Sequence, residues 1–253
     1  MKKTLIIAEA GVNHNGNILL AHKLIDAAVD SGADVIKFQT FTSSLLTTSF
    51  AEKTKYQINN TPANESQREM LSKLELGLDD HKELIKHCEM RGIEFLSTAF
   101  DDNSIELLKK LKLKRIKIPS GEITNLPYIR KLCDPDKQVI LSTGMSNLEE
   151  ITIALKEIKK SGIQEENITV LHCSTEYPAE IGNVNLNAIK TIKRSFNTKV
   201  GYSDHTDGIE IAIAATAIGS TLIEKHITID RNLKGPDHFA SIEPPMFKRM
   251  VEG

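Results

Sequence analysis

Residues 139–173 read VILSTGMSNLEEITIALKEIKKSGIQEENITVLHC, and their pattern decides the fold. Val139-Ile140-Leu141 is a short, continuous apolar run, as expected of a strand covered on both faces, and it stops at Ser142-Thr143-Gly144. Ser146 followed three residues later by Glu149 is a capping-box arrangement and predicts a helix start. Ile151, Leu155 and Ile158 then share one helical face, and Gly162 stands where a left-handed C-cap is wanted. Ile168-Thr169-Val170-Leu171 opens the next strand. Strand, helix and strand in this order form the repeating unit of a parallel sheet.

The same unit recurs in both directions. Leu5-Ile6-Ile7, Val35-Ile36-Lys37-Phe38, Phe95-Leu96-Ser97, Ile116-Lys117-Ile118, Val200-Gly201-Tyr202 and Leu222-Ile223 bring the strand-like runs to eight. In the first helical stretch Ile18, Ala21, Ile25 and Ala28 share a face, and Gly32 and Gly92 mark helix ends shortly before strands. Eight β-then-α units predict an α/β protein, a single (β/α)8 TIM barrel over residues 1–253, with a doubly wound open sheet as the competing architecture. One connection breaks the rhythm. From Phe41 to about Leu78 the chain is rich in Ser, Thr, Asn, Lys and Gln with little periodicity, so a long loop after strand two is expected to cover the catalytic face.

Composition narrows the function. With 32 Lys+Arg against 34 Asp+Glu the formal net charge is -2, which argues against nucleic acid as a partner. The basic run from Lys109 to Arg115 reads as a solvated helix end. No apolar run approaches the ~20 residues of a membrane span and no secretory pattern precedes Leu5, so a cytoplasmic, membrane-free protein is expected. Cys88, Cys133 and Cys173 are odd in number and widely spaced, which predicts buried or incidental thiols rather than a disulfide framework.

In a barrel of this kind, chemistry gathers at the carboxyl ends of the strands. The chain offers there Glu9, Asn13 and His14; Lys37 and Gln39; Ser97 and Thr98; Lys117, Ser120 and Glu122; Ser142 and Thr143; His172, Thr175 and Tyr177; Ser203, Asp204 and His205; and Glu224, Lys225 and His226. Lys37 and Lys117 lie within apolar runs, where an unpaired ammonium is costly. With Ser120, Ser142 and Ser203 they describe a pocket for phosphate and carboxylate, as in a phosphorylated enol acid. A snorkelling surface stem and a Schiff-base lysine are the other readings of these positions. His205 and His226 end neighbouring strands and are the candidate ligands of a divalent ion such as Mn²⁺, with Asp204 or Glu224 as orienting neighbours. His14, His172 and His238 are weaker candidates, and His22, His81 and His87 fall on helical patterns.

Taken together, Ala8-Glu9-Ala10-Gly11-Val12-Asn13-His14-Asn15-Gly16, Lys37-Phe38-Gln39-Thr40, Lys117-Ile118-Pro119-Ser120-Gly121-Glu122, Leu141-Ser142-Thr143-Gly144-Met145, Gly201-Tyr202-Ser203-Asp204-His205-Thr206, Glu224-Lys225-His226 and Gly235-Pro236-Asp237-His238 resemble the sialic acid synthase family. That family comprises N-acetylneuraminate, legionaminate and pseudaminate synthases of bacteria, and the seven motifs run in register from Ile7 to about Pro244. The resemblance implies condensation of phosphoenolpyruvate with an open-chain N-acetylated mannosamine-type sugar, giving a nine-carbon 2-keto sugar acid and phosphate, in surface polysaccharide biosynthesis. It implies that His205 and His226 bind Mn²⁺, with Mg²⁺ or Co²⁺ as alternatives. It implies that Lys37, Thr98, Lys117, Ser120, Ser142 and Ser203 hold phosphoenolpyruvate, with Thr175 where some relatives carry Asn. Glu9, Gln39, Glu122, Tyr177 and Asp237 match positions around the sugar. Lys117, Glu122, His205 and His226 are then the catalytic set, with Glu122 as the base for the water that meets C2.

The chain departs from the family pattern at Ala99, where many relatives have Pro, at Ile227, where Phe is common, and at Phe239, where Lys is common. Relatives continue past the barrel into a small antifreeze-like domain that completes the sugar site of a partner in a homodimer; that domain is expected to be absent from this chain. Two other readings follow: a module that binds phosphoenolpyruvate and metal without turnover, and a metal-dependent pyruvate aldolase. Similarity around Ser66-Gln67, residues 119–127 and Thr175-Glu176-Tyr177-Pro178 is closer to the legionaminate branch.

Overall fold

Side chains alternate across a strand, so each of the eight apolar runs can bury one set inside a barrel and the other beneath helices. The protein, described here as a computed structural model over residues 3–62 and 64–253, takes that arrangement. Its strands are β1 (Leu5–Gly11), β2 (Val35–Thr40), β3 (Glu94–Ala99), β4 (Arg115–Ile118), β5 (Gln138–Ser142), β6 (Ile168–Cys173), β7 (Lys199–Asp204) and β8 (Leu222–His226). They pair in parallel in the order β3-β2-β1-β8-β7-β6-β5-β4, and β3 and β4 lie side by side across the remaining gap. The sheet is thus a nearly closed barrel, and the open doubly wound alternative is not what forms.

Helices Ile18–Asp30, Leu78–Arg91, Asp102–Lys110, Leu126–Leu132, Leu148–Lys160, Asn187–Ser195, Glu210–Ala217 and Pro244–Glu252 follow the strands in turn. The first buries Ala21, Leu24, Ile25 and Ala28, each buried leucine or isoleucine contributing about 2 kcal/mol. Gly32, Gly92 and Gly162 all adopt left-handed conformations at helix ends, as their placement predicts. The helix after β5 begins one residue later than Ser146 suggests. Asn147 is its cap, accepting from the amides of Glu149 and Glu150 at 2.9 and 3.0 Å, while Glu150 accepts from the Asn147 amide at 2.9 Å. Asparagine caps as well as serine does, and both spacings occur in this stretch. None of the described helices is long and apolar enough to cross a membrane.

Residues 41–78 are more ordered than their composition suggests. They carry the short helices Ser43–Leu46, Lys55–Asn60 and Gln67–Ser72, each too short to show a helical period in sequence. The last has a capping box between Ser66 and Glu69. The segment packs through Phe41, Leu46, Leu71 and Leu74 against Val12 and Phe100 at the carboxyl end of the barrel.

Inside the barrel, Ile7, Val35, Leu96, Ile140, Leu171 and Leu222 form a buried apolar plug. Gly201 of β7 completes it by having no side chain. A Cβ there would stand 2.6 Å from the Leu222 carbonyl oxygen and 2.7 Å from Leu171 Cδ2. The plug separates the carboxyl-end mouth from a cavity at the amino end.

Candidate active site

Two residues beyond the plug, or beyond Arg115 in β4, each strand turns one more side chain inward. These are Glu9, Lys37, Thr98, Lys117, Ser142, Cys173, Ser203 and Glu224, one from every strand, all buried and all lining one cavity of about 190 Å³. Gln39, Ser120, Tyr177, His205 and His226 line it further out. Side chains separated by more than two hundred residues in the chain therefore share a single chamber.

Four charges dominate it. Glu224 accepts from Lys117 Nζ at 3.0 and 3.2 Å and from Ser203 Oγ at 2.9 Å, and its other near cation is Lys37 at 3.7 Å. Lys37 pairs with Glu9 and also donates to Thr98 Oγ1 at 3.3 Å. Burial opposes ionisation of Glu224, but the Lys117 and Lys37 ammoniums outweigh it and hold the carboxyl well below its usual range. For Glu9 burial wins, with help from Glu224 and against Lys37, and the pKa rises to about 7. Burial disfavours the Lys37 ammonium, yet Glu224 and Glu9 raise its pKa above the ordinary value. The cluster thus sets two lysines against one firm carboxylate, Glu224, and one carboxyl, Glu9, whose ionisation burial opposes. Its charge leans positive, which suits an anion.

At the edge of the chamber, the turn after β5 packs closely against Ser120. Gly144 adopts φ +52, and a Cβ there would stand 2.6 Å from Ser120 Cβ and 3.1 Å from Thr175 Cγ2. The Gly144 amide donates to Cys173 Sγ at 3.3 Å, which ties the turn after β5 to β6. Glycine keeps the Ser120 hydroxyl accessible where any side chain would crowd it.

Across the chamber, the rings of His205 and His226 have centroids 5.7 Å apart. His205 Nδ1 lies 2.6 Å from the Ser174 carbonyl, which can only accept, so that nitrogen carries the proton and Nε2 keeps its lone pair. His226 Nδ1 is buried without a hydrogen-bond partner. Burial lowers both pKa values, that of His205 to about 4, so both imidazoles are neutral. Two neutral imidazoles at this separation fit a shared divalent ion. Among the described residues no third His, Cys, Asp or Glu joins them in a metal-holding group, so the other ligands would be water and substrate oxygens.

Tyr177 packs on both imidazoles, its centroid 4.1 Å from that of His205 and 5.7 Å from that of His226. Tyr56, from the segment after β2, stacks on Tyr177 at 5.8 Å. The Gly235 amide donates to the Asn60 carbonyl at 3.1 Å and joins that segment to the loop after β8. The long connection thus reaches the mouth through one aromatic ring.

Three sequence candidates stand outside the lining. The Glu122 carboxylate accepts from Asn125 Nδ2 at 2.7 Å on the rim, Thr175 is exposed, and Asp237 is buried under the loop after β8 with its pKa raised by burial to about 6. Asp204, Lys225, Thr143 and His172 turn away from the chamber. The last two bond to the carbonyls of Leu171 and Val184 at 2.9 and 2.6 Å. The Asp204 carboxylate bonds to Thr206 and Lys225 and touches neither imidazole directly. His14 and His238 are buried away from the cavity, with His238 held by Thr228 Oγ1 and Asn15 Oδ1. Two lining residues were undervalued in sequence: Glu224, read only as an orienting neighbour, and Cys173, read as an incidental thiol. Each is an even number of residues from a plug residue, Leu222 or Leu171, and that spacing was the available signal.

A family model described as the NeuB family matches residues 24–253. The chain belongs to the NeuB family. Among its relatives in that family, the N,N'-diacetyllegionaminic acid synthase of Campylobacter jejuni is 56% identical over 250 residues, 99% of this chain and 75% of that protein. The enzyme of the same name from Legionella pneumophila is 47% identical, covering 98% of this chain and 70% of its own length. Among solved structures, the N-acetylneuraminic acid synthetase of Leptospira borgpetersenii in complex with citrate superposes with a TM-score of 0.87 at 34% identity, over 99% of this chain and 82% of that one. NeuB membership thus agrees with the family resemblance carried by the seven motifs.

Proposed function

We propose that this protein condenses phosphoenolpyruvate with 2,4-diacetamido-2,4,6-trideoxymannose, releasing phosphate and forming N,N'-diacetyllegionaminic acid. One observation carries the reading: the ring of eight inward residues sets two ammoniums and three hydroxyls beside two neutral imidazoles. The identity to the two relatives of that name supports the choice of sugar. Lys37, Lys117, Thr98, Ser120, Ser142 and Ser203 hold the carboxylate and phosphate of phosphoenolpyruvate, and the same cations stabilise the departing phosphate.

His205 and His226 would hold Mn²⁺, which when bound supplies Lewis-acid polarisation of the sugar aldehyde. The protein's own groups do the rest. Their contacts orient the enol C3 toward the aldehyde carbon, and water adds at C2 and loses a proton. Glu9, inside the chamber with a pKa raised to about 7, is suited to accept that proton, and Glu122, hydrogen-bonded to Asn125 on the rim, is the other candidate base. A Schiff base is disfavoured, because Lys37 is held as an ammonium and Lys117 is hydrogen-bonded to Glu224.

The test incubates the protein with phosphoenolpyruvate, Mn²⁺ and the diacetamido sugar and measures inorganic phosphate. Sugar-dependent release is expected, faster than with N-acetylmannosamine and absent when pyruvate replaces phosphoenolpyruvate. Product formed from pyruvate would show an aldolase instead.

A further inference from the structure

The outward faces of β7 and β8 carry a second, wholly separate charge pair. Lys225 Nζ donates to Asp204 Oδ2 at 2.7 Å and to the Thr206 carbonyl at 2.6 Å, and both side chains are essentially inaccessible to water. Asp204 Oδ1 accepts from the Thr206 amide at 3.0 Å and the Thr206 hydroxyl at 2.8 Å. A single lysine therefore grips the residues on both sides of His205. That lysine is the residue immediately before His226.

Asp204↔Lys225 is also the last pair of the β7–β8 ladder, so the two imidazoles extend one residue past the point where backbone pairing ends. The other backbone ties of His226 and its neighbour run elsewhere: the Ile227 amide to Glu9 and the Ile242 amide to the His226 carbonyl. His226 Nδ1 has no partner to orient the ring. On β7, His205 is tied by its ring to Ser174 and by its carbonyl to the Ala179 amide, both in the loop after β6. Across the β7–β8 seam, the Ser203–Glu224 hydrogen bond lies on the inward face and Tyr177 packs on both rings, while the Lys225 contacts are the side-chain tie nearest the two imidazoles on the outward face.

A buried ion pair adds little stability over an apolar pair of similar volume, but it fixes geometry by direction and length. We propose that Asp204 and Lys225 are positioning residues: they clamp the ends of β7 and β8 from behind and set the spacing of His205 and His226 for a divalent ion. The clamp rests on the reading of the imidazole pair as metal ligands.

The experiment titrates Mn²⁺ into the full chain and follows the free-ion signal by electron paramagnetic resonance, with thermal melting alongside. The variants are Asp204→Asn and the apolar pair Asp204→Leu/Lys225→Met, with His205→Ala as reference. The apolar pair is expected to melt within a few degrees of the wild type yet bind Mn²⁺ at least tenfold more weakly. Asp204→Asn, which keeps the contacts with Thr206, is expected to weaken binding about threefold. Wild-type affinity in a folded apolar-pair variant overturns the clamp and leaves the metal reading intact. If the apolar pair does not fold, Asp204→Asn decides alone, and unchanged affinity there overturns the proposal. Wild-type protein that binds no Mn²⁺, or binds it as His205→Ala does, overturns the metal reading and the clamp with it.

Discussion

The two ends of the barrel are built from the same strands and differ in what their inward residues do. At the amino end, the cavity lined by Leu5, Arg115, Gln138, Thr169, Lys199 and Leu222 is about 590 Å³, three times the volume of the mouth chamber. Its cations are nevertheless diverted: Arg115 pairs with Glu94, Lys3 with Asp34, and Lys199 bonds to the Glu166 carbonyl. At the carboxyl end the chamber is smaller, but its two lysines are buried and converge on carboxylates that line the same chamber, Glu224 and Glu9. Volume therefore misidentifies the site, and convergence of buried charge identifies it.

That contrast is open to direct attack. The largest effect is expected from His205→Ala or His226→Ala. Each should abolish measurable Mn²⁺ binding and lower kcat/KM by about 10³-fold, about 4 kcal/mol of transition-state stabilisation. Steady-state phosphate release with a parallel metal titration reads both, and wild-type metal affinity in either variant would refute the assignment. Lys117→Met comes next. It removes an anion contact and leaves buried Glu224 with Lys37 at 3.7 Å as its nearest cation. A loss of roughly 10²-fold in kcat/KM and about 3 kcal/mol in urea unfolding is expected, since a stranded buried charge is costly.

Gly144→Ala should displace Ser120, whose Cβ would stand 2.6 Å from the new methyl group, and raise the KM for phosphoenolpyruvate roughly tenfold. Its backbone strain is about 1 kcal/mol. At the floor, Arg115→Gln and Lys199→Gln should leave kcat/KM within about twofold of wild type, because neither side chain lines the mouth chamber. A floor variant that matched Lys117→Met would erase the distinction between the two ends.

Acid should weaken the fold through the imidazoles. His14, His205 and His238 titrate near 4 in the folded protein and His226 lies well below its ordinary value, all because burial disfavours the charged ring. Between about pH 6.5 and 4 the unfolded chain binds protons that the folded chain does not, so stability falls as pH falls through that window. Glu9 and Asp237, raised to about 7 and about 6, act with the opposite sign above their unfolded values. The histidines outnumber them, and the melting temperature is expected to drop between pH 6.5 and 5. A rise over that interval would contradict the assigned burial effects.

Much of this was legible in the sequence, because parallel strands announce themselves as continuous apolar runs and the βαβ repeat leaves few ways to close. The eight runs and the glycines at 32, 92 and 162 needed no coordinates. What order along the chain hides is direction across a strand. Listing polar residues at strand ends put Asp204, Lys225 and His172 beside true lining residues, although period two turns them outward. The role of Glu224 was hidden for another reason. It depends on the distance between β4 and β8, which no local pattern encodes. The cover over the mouth looked structureless because helices of four to six residues carry no period.

The central claim is that the ammoniums at the mouth, and not those at the floor, receive the anion. Calorimetric titration of phosphoenolpyruvate into Lys117→Met and Arg115→Gln proteins, both verified as folded, tests it most directly. Binding lost in the first and kept within about twofold in the second is the expected result. Binding kept in the first and lost in the second would contradict it.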